Sequence, residues 1–205
     1  MADYWNHNSA YHPWLIPIAA HHCGDVLDVG CGEGLLAQRL APVSRSVQAI
    51  DPDPQAVRRA RDRLAPQRTV TVEQVDFEAF DAGDSRFDVI TFVASLHHME
   101  LRESLTKARQ LLRPSGEIAV VGLSANKTLG DWLWSAACLP AVRIGSFLHA
   151  ETRDIGVPVT AARESLDEIR HIVDDVLPGA VVRRGLYYRY LLRWRCLLTG
   201  DEDDP

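Results

Sequence analysis

The sequence predicts a doubly wound α/β sheet with helices on both faces, and three observations carry that prediction. Apolar runs of strand character alternate with amphipathic segments of helical period from Val26 to Val121. That order builds parallel β-α-β crossovers. The first run, Val26-Leu27-Asp28-Val29, passes straight into Gly30-Cys31-Gly32-Glu33-Gly34, a glycine-spaced bend of the kind that joins strand to helix in such sheets. From Tyr188 to Cys196 the chain alternates residue by residue, and Gly185 can fold this stretch back on Ala180–Arg184. This period of two marks an antiparallel hairpin. The expected result is a mixed, seven-stranded sheet with the hairpin at its C-terminal end.

Each element has a local reason. Leu36 and Leu40 recur at helical spacing after the glycine bend until Pro42 stops the helix. Val47–Ile50 is a second strand. Asp53-Pro54 reads as an N-cap followed by proline in the first helical turn, and Val57, Ala60 and Leu64 mark the inner face of that helix before Pro66. Arg58, Arg59, Arg61 and Arg63 fall on its polar side and read as a solvated face. Val70–Val75 is a third strand. Phe87–Val93 is almost wholly apolar, as a central parallel strand covered on both faces must be. Leu101, Leu105, Ala108 and Leu112 give another helix, and the turn Arg113-Pro114-Ser115-Gly116 leads into strand Ile118–Val121. A last helix carries Leu166, Ile169, Val173 and Val176 on one face.

At 205 residues the chain suits one domain with a sizeable core. A formal charge of −6 argues against a nucleic-acid partner. Cys23, Cys31, Cys138 and Cys196 are scattered without a C-x-x-C pair, so neither disulfides nor a metal site is expected, and a reducing cytoplasm is the expected location. The first residues lack the basic and apolar regions of a secretory signal. The longest uncharged run, Trp132 to Val142, is too short to span a bilayer, so no transmembrane segment is expected.

The glycine bend speaks for a ligand. Glycine lets a ligand approach bare backbone, and the N-terminus of the helix behind it turns free N–H groups toward the same space. Strand two ends at Asp51, where a carboxylate can accept two charge-assisted hydrogen bonds from a ribose diol. Alone, Asp51 reads equally well as a turn former. Gly32-Glu33-Gly34-Leu35-Leu36-Ala37 also satisfies the short dinucleotide pattern G-x-G-x-x-G/A, which keeps a nicotinamide-dependent oxidoreductase as an alternative.

With Asp28–Gly34, Ala49-Ile50-Asp51, Gln74-Val75-Asp76-Phe77, the run from Phe87 to His98, and Leu112-Arg113-Pro114-Ser115-Gly116, the chain resembles the class I S-adenosylmethionine-dependent methyltransferases. From Asp28 to Gly116 these stretches follow the family's order and span about half of the chain. The resemblance implies a Rossmann-like fold and S-adenosylmethionine as cofactor, with S-adenosylhomocysteine as product. It implies that the glycine bend at Gly30, Cys31, Gly32 and Gly34 lies against the cofactor's amino-acid end. Asp28 then orders the bend or reaches the ammonium through water, although Cys31 also reads as a small residue tolerated there. Asp51 and Pro52 fall at the ribose, Asp76 and Phe77 at the adenine, and Val93 and Ala94 along the strand-four edge. Tyr11, in the aromatic N-terminal run, is the expected contact from above; that run also reads as an ordinary helix packed on the sheet.

Methyl transfer from a sulfonium is an in-line displacement, so alignment and water exclusion are the main demands. A hydroxyl or protonated amine acceptor gains from a general base. His98 and His97 follow strand four at the ligand edge and are the candidates, although in the family such a pair more often shapes the pocket or caps the next helix. His7 and His12 are further candidates for acceptor contacts. Trp132, Trp134, Phe147 and His149 fall where the family inserts a substrate cover, which suggests a hydrophobic or aromatic small-molecule acceptor; core, membrane contact or subunit interface are the other readings. The expected organisation is residues 1–22 as a cover, 23–123 as cofactor core, 124–160 as substrate cover and 161–199 as helix and hairpin, all within one domain spanning 1–205. A non-catalytic cofactor-binding relative remains a further alternative.

Overall fold

A computed structural model describes residues 6–128, 130–134, 136–139, 162–186 and 188–196. Its seven strands, β1 (Asp25–Val29), β2 (Ser46–Asp51), β3 (Val70–Gln74), β4 (Phe87–Val93), β5 (Leu112–Leu123), β6 (Val181–Arg184) and β7 (Arg189–Arg195), lie in the order β3-β2-β1-β4-β5-β7-β6. The first five are parallel, β7 runs antiparallel to β5, and β6 pairs antiparallel with β7. The predicted mixed sheet and C-terminal hairpin are both present. The order in which successive strands are added reverses between the parallel neighbours β1 and β4, the switch point where open α/β sheets hold their ligands.

Helices α1 (His12–His22), α2 (Leu35–Leu40), α3 (Pro54–Leu64), α4 (Leu101–Leu111) and α5 (Leu166–Val176) cover the sheet. Two apolar clusters result. One joins Leu27, Ile90 and Phe92 to residues of α4 and α5; the other joins Val26, Ala49 and Val89 to residues of α1, α2 and α3. That two-sided burial explains the uninterrupted apolar run of β4.

Local chemistry sets the boundaries. The Asp53 carboxylate accepts from the Gln55 amide at 2.8 Å and starts α3. Ser165 and Glu168 form a reciprocal capping box at α5. Residues 113–116 loop out within β5, since Phe87 pairs with Leu112 while Val89 pairs with Glu117, and this is the turn expected there. Glu117 is fully buried, and Arg193 and Arg195 on the neighbouring strand satisfy it, with Arg193 Nε donating at 2.6 Å. No helix among the described residues is long and apolar enough to cross a membrane.

Candidate active site

The carboxyl ends of β1, β2 and β4 open into a cleft of about 340 Å³. Asp28, Gly30, Cys31 and Gly32 line it from the β1 side, Asp51 and Pro52 from β2, and Val93, Ala94 and Ser95 from β4. The opposite wall comes from Asn6, Asn8, Ser9 and His12, with His98 and Met99 at the β4 side.

The glycine bend is held from β2 and α3. Ile50 O accepts the amides of Gly30 at 2.9 Å and Cys31 at 3.0 Å. The Gly32 amide donates to Asp51 Oδ2 at 2.8 Å, and the Asp53 amide to Asp51 Oδ1 at 2.9 Å. These N–H groups, expected to face a ligand, are therefore committed to the protein, and the bend offers shape more than donors. Gly32 sits at φ 57° with open space where a Cβ would be, so its bare backbone faces the cleft. Gly34, expected beside the cofactor, instead sits at φ 79° with a Cβ position 2.7 Å from Leu64 Cδ1. Its missing side chain lets α2 approach α3.

Arg63 departs from the solvated-face reading. It is 4% exposed, and it donates to Glu33 O at 3.1 Å, to Glu33 Oε1 at 3.1 Å and to Gln38 Oε1 at 3.1 Å. It clamps the far side of the bend to α3. Helical periodicity alone cannot distinguish an arginine facing water from one reaching into a neighbouring loop.

Asp28 is the most perturbed acid of the cleft. Burial, with a smaller contribution from the nearby Asp51 charge, pushes its carboxyl up to about 7 despite a 2.8 Å hydrogen bond from Thr91 Oγ1 to Oδ1. Its Oδ2 is buried with no hydrogen-bond partner among the described residues. Burial also raises Asp51 above the ordinary carboxylate range, while the Asp53 and Gly32 amides oppose the shift.

Residues 26–116 match the methyltransferase domain family. An uncharacterized methyltransferase of Mycobacterium bovis is 38% identical over 199 residues, covering 93% of this chain and 96% of the relative. The chain belongs to the class I S-adenosylmethionine-dependent methyltransferases. The methyltransferase is also 30% identical over 136 residues to the ubiquinone biosynthesis O-methyltransferase of Cupriavidus pinatubonensis, covering 60% of this chain and 55% of that one. Among solved structures it shares its fold with the N-methyltransferase NodS from Bradyrhizobium japonicum WM9 in complex with S-adenosyl-l-homocysteine, at a TM-score of 0.62 and 21% identity, covering 92% of this chain and 86% of that one.

The cleft fits the family's cofactor on its own chemistry. The partnerless Asp28 Oδ2 is an acceptor awaiting a donor, which an ammonium supplies. Each Asp51 oxygen takes one backbone N–H and retains acceptor capacity for a hydroxyl. Gly32 leaves the space that a side chain would fill. The cofactor, when bound, supplies a methyl group already activated on a sulfonium.

Other expected residues lie elsewhere. Tyr11 reaches the hairpin turn, where its hydroxyl accepts from the Leu186 amide at 3.0 Å, and it does not line the cleft. Phe77, expected as adenine cover, is 1% exposed and stacks edge-on with Phe92 at 5.4 Å between centroids, as a core residue. Asp76 is exposed and closes a local turn through the Glu78 amide at 2.9 Å. Of the strand-four histidines, only His98 lines the cleft. His97 is buried behind it, with the ring centroids 4.0 Å apart. His12 lines the cleft and His7 does not. Trp132 and Trp134 are 62% and 41% exposed and outside the cleft lining, with Trp134 Nε1 donating to Gly185 O at 3.2 Å. Phe147 and His149 lie outside the described residues.

Sequence reading did not single out Ser95 or Asn8, which both line the cleft. The Ser95 hydroxyl donates to Val29 O at 2.7 Å and ties the end of β4 to β1. Small polar residues next to a strand end carry no periodic signal, so only the fold reveals them.

Proposed function

We propose that the methyltransferase acts on a small-molecule acceptor that enters between the N-terminal segment and His98. Asp51 and Pro52 hold the ribose end of the cofactor, Asp28 and the bend from Gly30 to Gly32 its amino-acid end, and Val93 and Ala94 its flank. The observation carrying this reading is that Asn8, His12 and His98 line the same cleft as Asp28 and Asp51. Acceptor-side groups thus share one space with the cofactor-side acids. His98 is the general base when the acceptor carries a proton that must leave. The scattered cysteines, with no C-x-x-C pair in the sequence, suit a reducing cytoplasm.

The test is transfer of an isotopically labelled methyl group from S-adenosylmethionine to a chemically broad set of small molecules, alongside protein and RNA acceptors. Labelling of a small molecule supports the proposal. Labelling confined to macromolecules, or none across the set, overturns it.

A further inference from the structure

The strand-four run Val89-Ile90-Thr91-Phe92-Val93 is apolar but for one hydroxyl. Thr91 is fully buried and pairs across the parallel ladder with Asp28 of β1. Partners in such a ladder present their side chains on the same face of the sheet, and Thr91 Oγ1 donates to Asp28 Oδ1 at 2.8 Å. Leu27 O lies farther off, at 3.4 Å. That is beyond a good O–H···O length, so the single hydroxyl proton goes to the carboxylate. Threonine is stiff at χ1, and the proton therefore comes from a fixed direction. It holds one oxygen of a carboxylate whose other oxygen, Oδ2, is buried with no hydrogen-bond partner among the described residues. Asp28 lines the cleft and Thr91 does not. Whatever Thr91 does for a ligand is done through Asp28.

We propose that Thr91 is a positioning residue for cofactor binding, whose hydroxyl fixes the Asp28 carboxylate so that Oδ2 is the oxygen presented to the cofactor's ammonium. The inference rests on the reading above that Asp28 holds the amino-acid end. By donating to the ionised acid, the hydroxyl also works against the burial that disfavours its charge. Without it, both carboxylate oxygens would lack a partner in a residue 2% exposed, and taking up a proton would relieve that cost. The other titratable groups lining the cleft are Cys31 and Glu33 in the bend, Asp51 at the end of β2, Asp53 before α3, His12 on the N-terminal wall and His98 after β4. The Asp51 charge adds to the effect of burial on Asp28, and a change at Thr91 leaves all six in place.

Calorimetric titration of the full chain across the neutral pH range tests this with two ligands. S-adenosylhomocysteine carries the amino-acid end; 5′-methylthioadenosine keeps the adenosine and the thioether and lacks that end. Thr91→Val, which keeps the shape and loses the hydroxyl, should weaken S-adenosylhomocysteine at neutral pH by about two- to tenfold, the value of one hydrogen bond. It should leave 5′-methylthioadenosine unchanged. The pH at which S-adenosylhomocysteine affinity rises should move upward by about one unit. The ligand's own amino group titrates alike with every variant, so the displacement reports Asp28. Thr91→Ser, which keeps the donor, should restore both affinity and midpoint. Equal weakening of the two ligands, an unmoved midpoint, or no rescue by serine overturns the proposal. Asp28→Asn separates it from the reading beneath it. If Asp28→Asn weakens S-adenosylhomocysteine alone while Thr91→Val does not, the positioning role falls and the Asp28 assignment stands. If Asp28→Asn does not discriminate between the ligands, both fall.

Discussion

Gly32 and Asp51 are joined by a 2.8 Å hydrogen bond from the glycine amide to Oδ2, so the bend after β1 and the acid at the end of β2 form one rigid unit. Asp51 therefore has two tasks: it shapes the bend and it retains acceptor capacity for a diol. Asp51→Ala should weaken S-adenosylhomocysteine binding by about 1.5–3 kcal/mol, the scale of hydrogen bonds to charged groups. Asp51→Asn, which keeps one acceptor oxygen, should lose less. Calorimetric titration checks both, and unchanged affinity in the alanine variant removes Asp51 from the site.

Asp28 predicts a pH dependence of binding. Its carboxyl titrates near 7 because it is buried, so below that pH it is mostly neutral and a poor partner for an ammonium. Affinity for S-adenosylhomocysteine should rise with pH through about 7, by at most about tenfold per pH unit. Asp28→Asn should flatten the profile. Stability runs the opposite way. A carboxyl raised above its unfolded value favours the fold at low pH, and that contribution is lost as pH rises from about 4 toward 7. Denaturant titrations across that range should show Asp28→Asn losing less stability than the parent chain as pH rises.

Two glycines two residues apart should fail in different ways. Gly32→Val meets open space and should leave melting little changed beyond the cost of its left-handed backbone, about 1–2 kcal/mol, while blocking ligand binding. Gly34→Val drives a side chain into Leu64 and Ala60 and should act mainly on folding, through overpacking of about 1–3 kcal/mol on top of the same backbone cost. Parallel melting and binding measurements separate the two.

Much of the fold was readable because its signals are periodic or steric. Alternation from Arg189 to Arg195, the apolar run of β4 and the Asp53-Pro54 start of α3 each follow from nearest-neighbour chemistry. The cleft floor was also visible, since glycines and a strand-end aspartate mark the edge where parallel strands stop. What sequence could not give is the direction of single side chains. Phe77 joined the core because Phe92 waits beneath it, and Tyr11 turned to Leu186, a contact 175 residues distant in sequence. Arg63 shares its helix with exposed arginines, and only the neighbouring Glu33 shows why it is buried.

Arg63 supplies the next prediction. Arg63→Met removes three donors from a clamp that is 4% exposed and leaves the Glu33 carboxylate, 12% exposed, without its cation. Breaking a buried pair on one side costs about 3–5 kcal/mol. A cost toward the lower end is expected here because Glu33 retains some contact with water. Thermal melting should show the loss, and cofactor affinity should fall with it because the bend is no longer pinned to α3.

His98 and His97 make a contrast in rate. Replacing cleft-lining His98 by Ala should lower kcat on a proton-bearing acceptor by about 10²–10⁴, the range of general base catalysis, with little change in S-adenosylhomocysteine affinity. His97→Gln, altering a ring buried behind it, should lower stability more than turnover.

A crystal structure with S-adenosylhomocysteine bound tests the central claim most directly. The expected result is a ribose diol on the Asp51 carboxylate, the amino group within reach of Asp28 Oδ2, and the ligand backbone passing over Gly32. Ligand bound at another edge of the sheet, or both carboxylates directed away from it, would contradict the account.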